Sequence, residues 1–215
     1  MEKEFWINKW EAGQIGFHNA KPHPFLIDNL SGLKLNQGSR IYLPLCGKTL
    51  DIAWLLQQGF RVVGVELAKK AIDELFEELQ LIPVVTAVGK LLHYQANNLD
   101  MYVGDVFALG QELLGPVDAI YDRAALVALP PDTRIEYTRH LIDSTQQAPQ
   151  LLVTFEYDQS QMSGPPFSIP EAEVMQHYGE TYQVQLEDQV DEAFRGGFPA
   201  IERVWSLTPQ KKDTQ

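Results

Sequence analysis

One short stretch holds most of the reactive possibilities in this chain. Leu45-Cys46-Gly47-Lys48-Thr49 contains the single cysteine, a glycine, and the lysine–threonine pair that ends phosphate-binding loops. A loop of the form G-x-x-x-x-G-K-[ST] needs a glycine five residues before Gly47, and that position is Tyr42. The residues between, Tyr42-Leu43-Pro44-Leu45, read as a strand whose amides cannot converge on a phosphate. A dinucleotide fingerprint fails too, because Cys46, Lys48 and Thr49 fill places that glycines would take. Lys48 then reads as a surface lysine near a helix start.

Cys46 would sit at a strand-to-helix turn, where the helix lowers a thiol pKa. A nucleophile also needs a base, and none of His18, His23, His93, His140 and His177 stands in a recognisable partner pattern. A buried, inert residue is the commoner fate of such a cysteine. Glu66 is the stronger signal. It ends the apolar run Val62-Val63-Gly64-Val65 and falls 66 − 47 = 19 residues after Gly47. An acid about 20 residues beyond the first turn is placed to accept hydrogen bonds from both hydroxyls of a ribose. Its plainer role is a negative charge favoured at a helix N-terminus. One glycine in place of three leaves little provision for a pyrophosphate. The pattern favours a cofactor with a ribose and no pyrophosphate, such as S-adenosylmethionine.

These residues need a scaffold, and the hydrophobic pattern supplies one. Strands are expected at 41–45, 62–65, 99–103, 117–121 and 151–157. Helices are expected between them at 50–58, 68–79 and 132–144. Strands separated by helices imply a parallel sheet covered on both faces. Two further strands, at 182–190 and 200–207, have only a loop between them and should be antiparallel. Residues 1–38 differ, with helices expected near 2–11 and 24–30 and with Trp6, Trp10, Phe17 and Phe25 set among polar residues. In such open sheets ligands bind outside the carboxyl ends of the strands. The residues there are Leu45-Cys46-Gly47, Glu66, Gly104-Asp105-Val106, Asp122-Arg123 and Tyr157-Asp158.

Composition narrows the partners. The 215 residues suit one α/β domain, and 45% hydrophobic content supports a buried core. A net charge of −12 is the wrong footprint for nucleic acid. One cysteine forms no internal disulfide, no run approaches membrane-spanning length, and the N-terminus lacks a signal-peptide core. The expectation is a single soluble cytoplasmic domain over 1–215, monomeric by default. It comprises a lid segment at 1–38, an α/β core at 39–207 and a tail at 208–215. No His/Cys cluster has metal-ligand spacing.

An ordered set of motifs then becomes specific. Phe5-Trp6, Lys9-Trp10, Gly16-Phe17-His18, Leu43-Pro44-Leu45-Cys46-Gly47-Lys48, Val63-Gly64-Val65-Glu66, Asp122-Arg123-Ala124-Ala125-Leu126-Val127-Ala128 and Gly164-Pro165-Pro166-Phe167 together resemble thiopurine S-methyltransferases, particularly bacterial members. The resemblance covers nearly the whole chain. It implies a class I methyltransferase: a Rossmann-like fold with a mostly parallel seven-stranded sheet, helices on both faces and an antiparallel C-terminal pair. Carried over by position, Trp10, Leu45, Glu66 and Arg123 match cofactor-contacting residues. Asp105-Val106 match the segment flanking the adenine, and Phe17 matches a position near the substrate sulfur. The pattern departs at Ala124, where many relatives have glycine. The segment 192–197 leaves the register of Arg195 against the family's second substrate-side arginine open.

The implied reaction moves a methyl group from S-adenosylmethionine to the sulfur of a thiopurine or a related aromatic or heterocyclic thiol. Relatives extend the acceptors to selenium and tellurium compounds. A cation beside the thiol favours its thiolate, and Arg123 and Arg195 are the expected catalytic residues. Gly47 gives close backbone approach to the cofactor. Trp6 and Trp10, four residues apart, share a helix face and suit a lid over the cofactor. Phe17 and Phe167 can line a slot for a flat heterocycle, although ordinary packing explains them nearly as well. Two alternatives stand beside this: a nucleoside-binding module without turnover, and a Cys46-dependent hydrolase.

Overall fold

The computed structural model describes residues 3–16, 18–193 and 197–210. Its helices are α1 (Lys3–Glu11), α2 (Pro24–Asn29), α3 (Leu50–Gln57), α4 (Lys69–Glu78), α5 (Gln111–Leu114), α6 (Pro131–Ser144) and α7 (Glu171–Tyr178). Its strands are β1 (Arg40–Pro44), β2 (Arg61–Glu66), β3 (Val84–Val88), β4 (Leu91–Ala96), β5 (Leu99–Val103), β6 (Ala119–Asp122), β7 (Gln150–Tyr157), β8 (Tyr182–Ala193) and β9 (Pro199–Pro209). They form one sheet in the order β3-β4-β5-β2-β1-β6-β7-β9-β8. Strands β5, β2, β1, β6 and β7 are parallel, while β9 runs antiparallel to β7 and β8 antiparallel to β9.

The central strands are short apolar runs buried on both faces, as helix-covered parallel strands must be. Alternation sorts their side chains into two cores. Tyr42, Val63, Val65 and Ile120 join one cluster with Tyr137 and Leu141 of α6. Ile41, Leu43 and Val62 join the other with Ile52 and Leu55 of α3 and Ile72, Leu75 and Phe76 of α4. Helix α3 begins where Thr49 caps it, its hydroxyl oxygen accepting from the Asp51 amide at 3.3 Å.

Seven strands match the expected positions, and the hairpin of β3 and β4 adds two at one edge. Residues 84–87 of β3 are exposed on both faces. An edge strand with no buried face has no reason to alternate, so the period-2 signal is missing there. The opposite edge, β8, carries Glu187, Asp188 and Asp191, charges that discourage edge-to-edge pairing. Among the described residues no helix is long and apolar enough to cross a membrane.

The N-terminal segment is tied down at both ends. Trp10 of α1 is buried against Ala68 and Ala71 at the start of α4. His23 caps α2, its Nδ1 accepting from the Phe25 amide at 3.3 Å. That bond leaves the proton on Nε2, which donates to Glu202 of β9 at 3.1 Å. The His23 amide donates to Asp51 Oδ1 at 2.7 Å.

Candidate active site at the carboxyl ends of the parallel strands

The strand order brings five loops to one edge. In space they run Gly104-Asp105-Val106 after β5, then Glu66 at the end of β2, Leu45 to Gly47 after β1, Arg123 after β6, and Asp158 after β7. Three of these loops hold residues in left-handed backbone. Leu45 has φ +47°, Gly47 +54°, Gly104 +143° and Ala124 +61°. A leucine and an alanine at such angles cost about 1–2 kcal/mol each, and strain of this kind gathers at functional sites.

Glu66 is buried and aligned by backbone amides. Oε2 accepts from the Gly47 amide at 2.8 Å and Oε1 from the Ala68 amide at 2.8 Å. Burial raises its carboxyl above the ordinary value, and the amides of Ala68, Gly47 and Leu67 partly offset that by favouring the anion. A carboxylate has about four lone-pair positions. Positions beyond those the amides use remain for a hydroxyl donor, which suits a ribose.

Gly47 is required twice over. Its φ is left-handed, and a Cβ there would stand 2.7 Å from Cζ2 of Trp10. Trp10 therefore lies directly on the turn. Cys46 packs inward, its Sγ 2.9 Å from where a Cβ on Gly64 would be, beside Met101. Burial, and then the charge of Glu66, raise its thiol well above the ordinary value. The turn leaves Cys46 no activated thiolate. Lys48 corrects the expectation of a surface lysine. Its ammonium donates to Glu78 at 2.6 Å and lies 2.9 Å from Glu74, both on α4. Only 11% of its side chain is exposed.

At the end of β6, neighbouring residues take opposite roles. Asp122 is wholly buried, accepting from the Tyr137 hydroxyl at 2.7 Å and the Leu126 amide at 3.1 Å. Burial pushes its carboxyl up to about 6, against the hydrogen bonds from Tyr137, Leu126 and Ala125. Asp122 and Arg123 form no ion pair with each other. Among the described residues the half-buried Arg123 has no ion pair. His18 lies near it: burial, then Lys48 and Arg123, hold the imidazole below its ordinary value.

Asp105 accepts from the Phe107 amide at 3.2 Å, capping the turn that begins with the buried Val106. It also forms an ion pair with Lys3, tying α1 to this loop. Phe167 is half-buried, its amide donating to the Val127 carbonyl at 2.6 Å. The guanidinium of Arg134 lies 5.6 Å from its ring centroid. Phe167 thus borders the segment after β6. Phe17 and Arg195 lie outside the described residues. A cavity of about 580 Å³ is lined by Lys9, Gly13, Gln14, Ile15 and Gly16. It belongs to the end of α1 and the loop after it, and includes none of the strand-end residues. Among the described residues no group of three or more His, Cys, Asp or Glu is placed to hold a metal ion.

Sequence reasoning missed the Lys48–Glu74–Glu78 cluster and the Tyr137–Asp122 bond. The first left a trace, since Glu74 and Glu78 are four apart on a helix beside the motif lysine. The second spans two elements with no shared pattern.

Comparison with known proteins completes the picture. The family model described as thiopurine S-methyltransferase (TPMT) matches residues 1–202. A relative from Xanthobacter autotrophicus named thiopurine S-methyltransferase is 50% identical over 210 residues, covering 96% of this chain and 99% of its own. One of the same name from Teredinibacter turnerae is 47% identical over 210 residues, covering 97% and 98%. Among solved structures, the 1,6-didemethyltoxoflavin-N1-methyltransferase of Burkholderia thailandensis superposes with TM-score 0.66 at 15% identity, covering 96% of this chain and 87% of that one. The magnesium protoporphyrin IX methyltransferase of Synechocystis gives TM-score 0.63 at 14% identity, covering 97% and 98%. At such identities these structures show the fold alone, that of S-adenosylmethionine-dependent methyltransferases. The family match and the near full-length relatives establish that this chain belongs to the thiopurine S-methyltransferase family.

Proposed function

We propose that this S-adenosylmethionine-dependent methyltransferase acts on the sulfur of thiopurines and related aromatic or heterocyclic thiols, as a cytoplasmic monomer with no nucleic-acid partner. Selenium and tellurium compounds, soft nucleophiles of the same kind, belong to the same acceptor class. The observation that carries the reading is the pairing of unlike ends on either side of β1. At β2 a buried carboxylate is aligned by two amides with acceptor positions to spare. At β6 stands a half-buried guanidinium with no carboxylate partner among the described residues.

Bound S-adenosylmethionine supplies a methyl group already activated as a sulfonium. Glu66 accepts from the ribose hydroxyls, and Gly47 with Leu45 lets the backbone approach closely. Asp105 and Val106 border the adenine. Trp10 covers the turn, and an aromatic face attracts a sulfonium by about 0.5–2 kcal/mol. Arg123 favours the anionic form of an acidic thiol, with Arg195 as its expected companion. Phe167 forms one wall for a flat ring, and Phe17 is the expected second. The acidic net charge of −12 and the single cysteine support the partner and compartment assignments. A Cys46 hydrolase is disfavoured by the buried thiol.

The test is turnover of a heterocyclic thiol such as 6-mercaptopurine by Arg123→Met and Arg123→Lys. Removing the cation should lower kcat/KM by about tenfold or more, equal to about one unit of thiol pKa, with lysine recovering part. The loss should grow as pH falls and the free thiol protonates. Unchanged turnover in Arg123→Met would refute the role.

A further inference from the structure

The ribose subsite depends on one alignment: the Gly47 amide held against Glu66. Glu66 closes β2 and Gly47 lies in the turn after β1, and both need outside support to stay within a few tenths of an ångström. Glu66 has it from the Ala68 amide at the start of α4. Gly47 sits in left-handed backbone with no side chain of its own to anchor it. The next residue does the anchoring. Lys48 Nζ reaches across to α4, 2.6 Å from Glu78 Oε1 and 2.9 Å from Glu74 Oε2.

The cluster has the marks of a fixed device. Most of the Lys48 side chain is covered, with 11% of it exposed. Burial works against its charge, and the hydrogen bonds it donates to Glu78 and Glu74 outweigh burial and raise its pKa. The two acids are four residues apart, so one helix face presents both. The same helix carries the lid: Trp10 packs on Ala68 and Ala71, and Lys70 Nζ donates to the Glu11 carbonyl at the end of α1 at 3.3 Å. Helix α4 is thus the shared platform for the Glu66 turn, the Gly47 turn and the lid.

We propose that Lys48, gripped by Glu74 and Glu78, is a positioning residue that docks the Gly47 turn on α4 and so preorganises the Glu66 carboxylate for the cofactor ribose. This rests on the reading that Glu66 binds the ribose. Lys48 contacts no reacting group, so its loss should be felt in cofactor affinity and not in the transfer step.

The experiment is calorimetric titration of the full-length chain with S-adenosylhomocysteine, alongside kcat at saturating cofactor. The variants are Lys48→Met, Lys48→Arg, the double Glu74→Gln/Glu78→Gln, and Glu66→Gln as a control on the reading itself. Lys48→Met and the double variant should each weaken binding by about tenfold, the scale of one hydrogen bond's worth of alignment. Arginine should restore most of it, and kcat should stay within about twofold, since the transition-state contacts are intact. Combining Lys48→Met with the double variant should add little, because both break one interaction. If Lys48→Met does not fold, the milder double variant carries the test. A weakened Glu66→Gln beside an unchanged Lys48→Met, or beside an unchanged double variant where Lys48→Met does not fold, overturns this proposal alone. An unchanged Glu66→Gln overturns the ribose reading and this proposal with it.

Discussion

Asp122 makes the sharpest quantitative prediction, because the fold holds it at a cost. The carboxyl is wholly buried and pushed from 3.8 up to about 6. A group whose folded pKa is raised favours folding in its protonated form. Its contribution is complete below pH 3.8 and is lost as pH rises through about 6. At about 1.4 kcal/mol per unit, the shift amounts to about 3 kcal/mol. About half of that falls between pH 5 and pH 7.5, a range in which unfolding is practical to follow. Asp122→Asn removes the ionisation while keeping the shape. The amide oxygen still accepts from the Leu126 amide, and the Tyr137 hydroxyl can turn to accept from the new NH₂ group. Urea unfolding of both proteins across this range isolates the effect, because all other groups cancel in the difference. The variant should gain on the parent by about 1.5 kcal/mol from pH 5 to pH 7.5. A difference that stays flat, or that moves in favour of the parent as pH rises, would refute the claim that burial dominates at this site.

The other perturbations test the turns. Gly47→Ala adds a Cβ 2.7 Å from Trp10 at φ +54°. Left-handed strain and overpacking together should cost about 2–4 kcal/mol in urea unfolding and weaken cofactor binding as well. Ala124→Gly should do the opposite. Its φ of +61° costs alanine about 1–2 kcal/mol, partly offset by glycine's greater freedom when unfolded, so a net gain of about 0.5–1 kcal/mol is expected. A loss of stability there would show that the left-handed turn carries no strain.

The architecture was legible because burial imposes periodicity. Buried central strands and the amphipathic α4 left clear patterns, and the spacing of Glu66 from Gly47 survives because a strand and a helix of ordinary length separate them. The resemblance to bacterial relatives added the roles expected of Trp10, Leu45, Asp105 and Val106, which no spacing rule supplies. What stayed hidden has physical reasons. The exposed edge strand β3 has no inward face to mark. The left-handed backbone of Leu45 is invisible, since leucine is not a residue that signals it. Ala124 stands out in the sequence only as a departure from glycine, and φ +61° explains why glycine suits that position. The partners of Lys48 and Asp122 depend on how α4 and α6 dock, a tertiary matter that local pattern does not encode. His23 and Glu202 lie 179 residues apart and meet only in the folded chain.

The central claim is that Glu66 accepts the cofactor's ribose hydroxyls. The most direct measurement is the Kd of S-adenosylhomocysteine for the parent and for Glu66→Gln, repeated with a ligand lacking the 2′-hydroxyl. A hydrogen bond to a charged acceptor contributes about 1.5–3 kcal/mol, so Glu66→Gln should weaken binding of the intact ligand by about thirtyfold. The loss should be clearly smaller for the 2′-deoxy ligand, because the two changes remove a shared contact. Equal losses with both ligands, or no loss with either, would contradict the account.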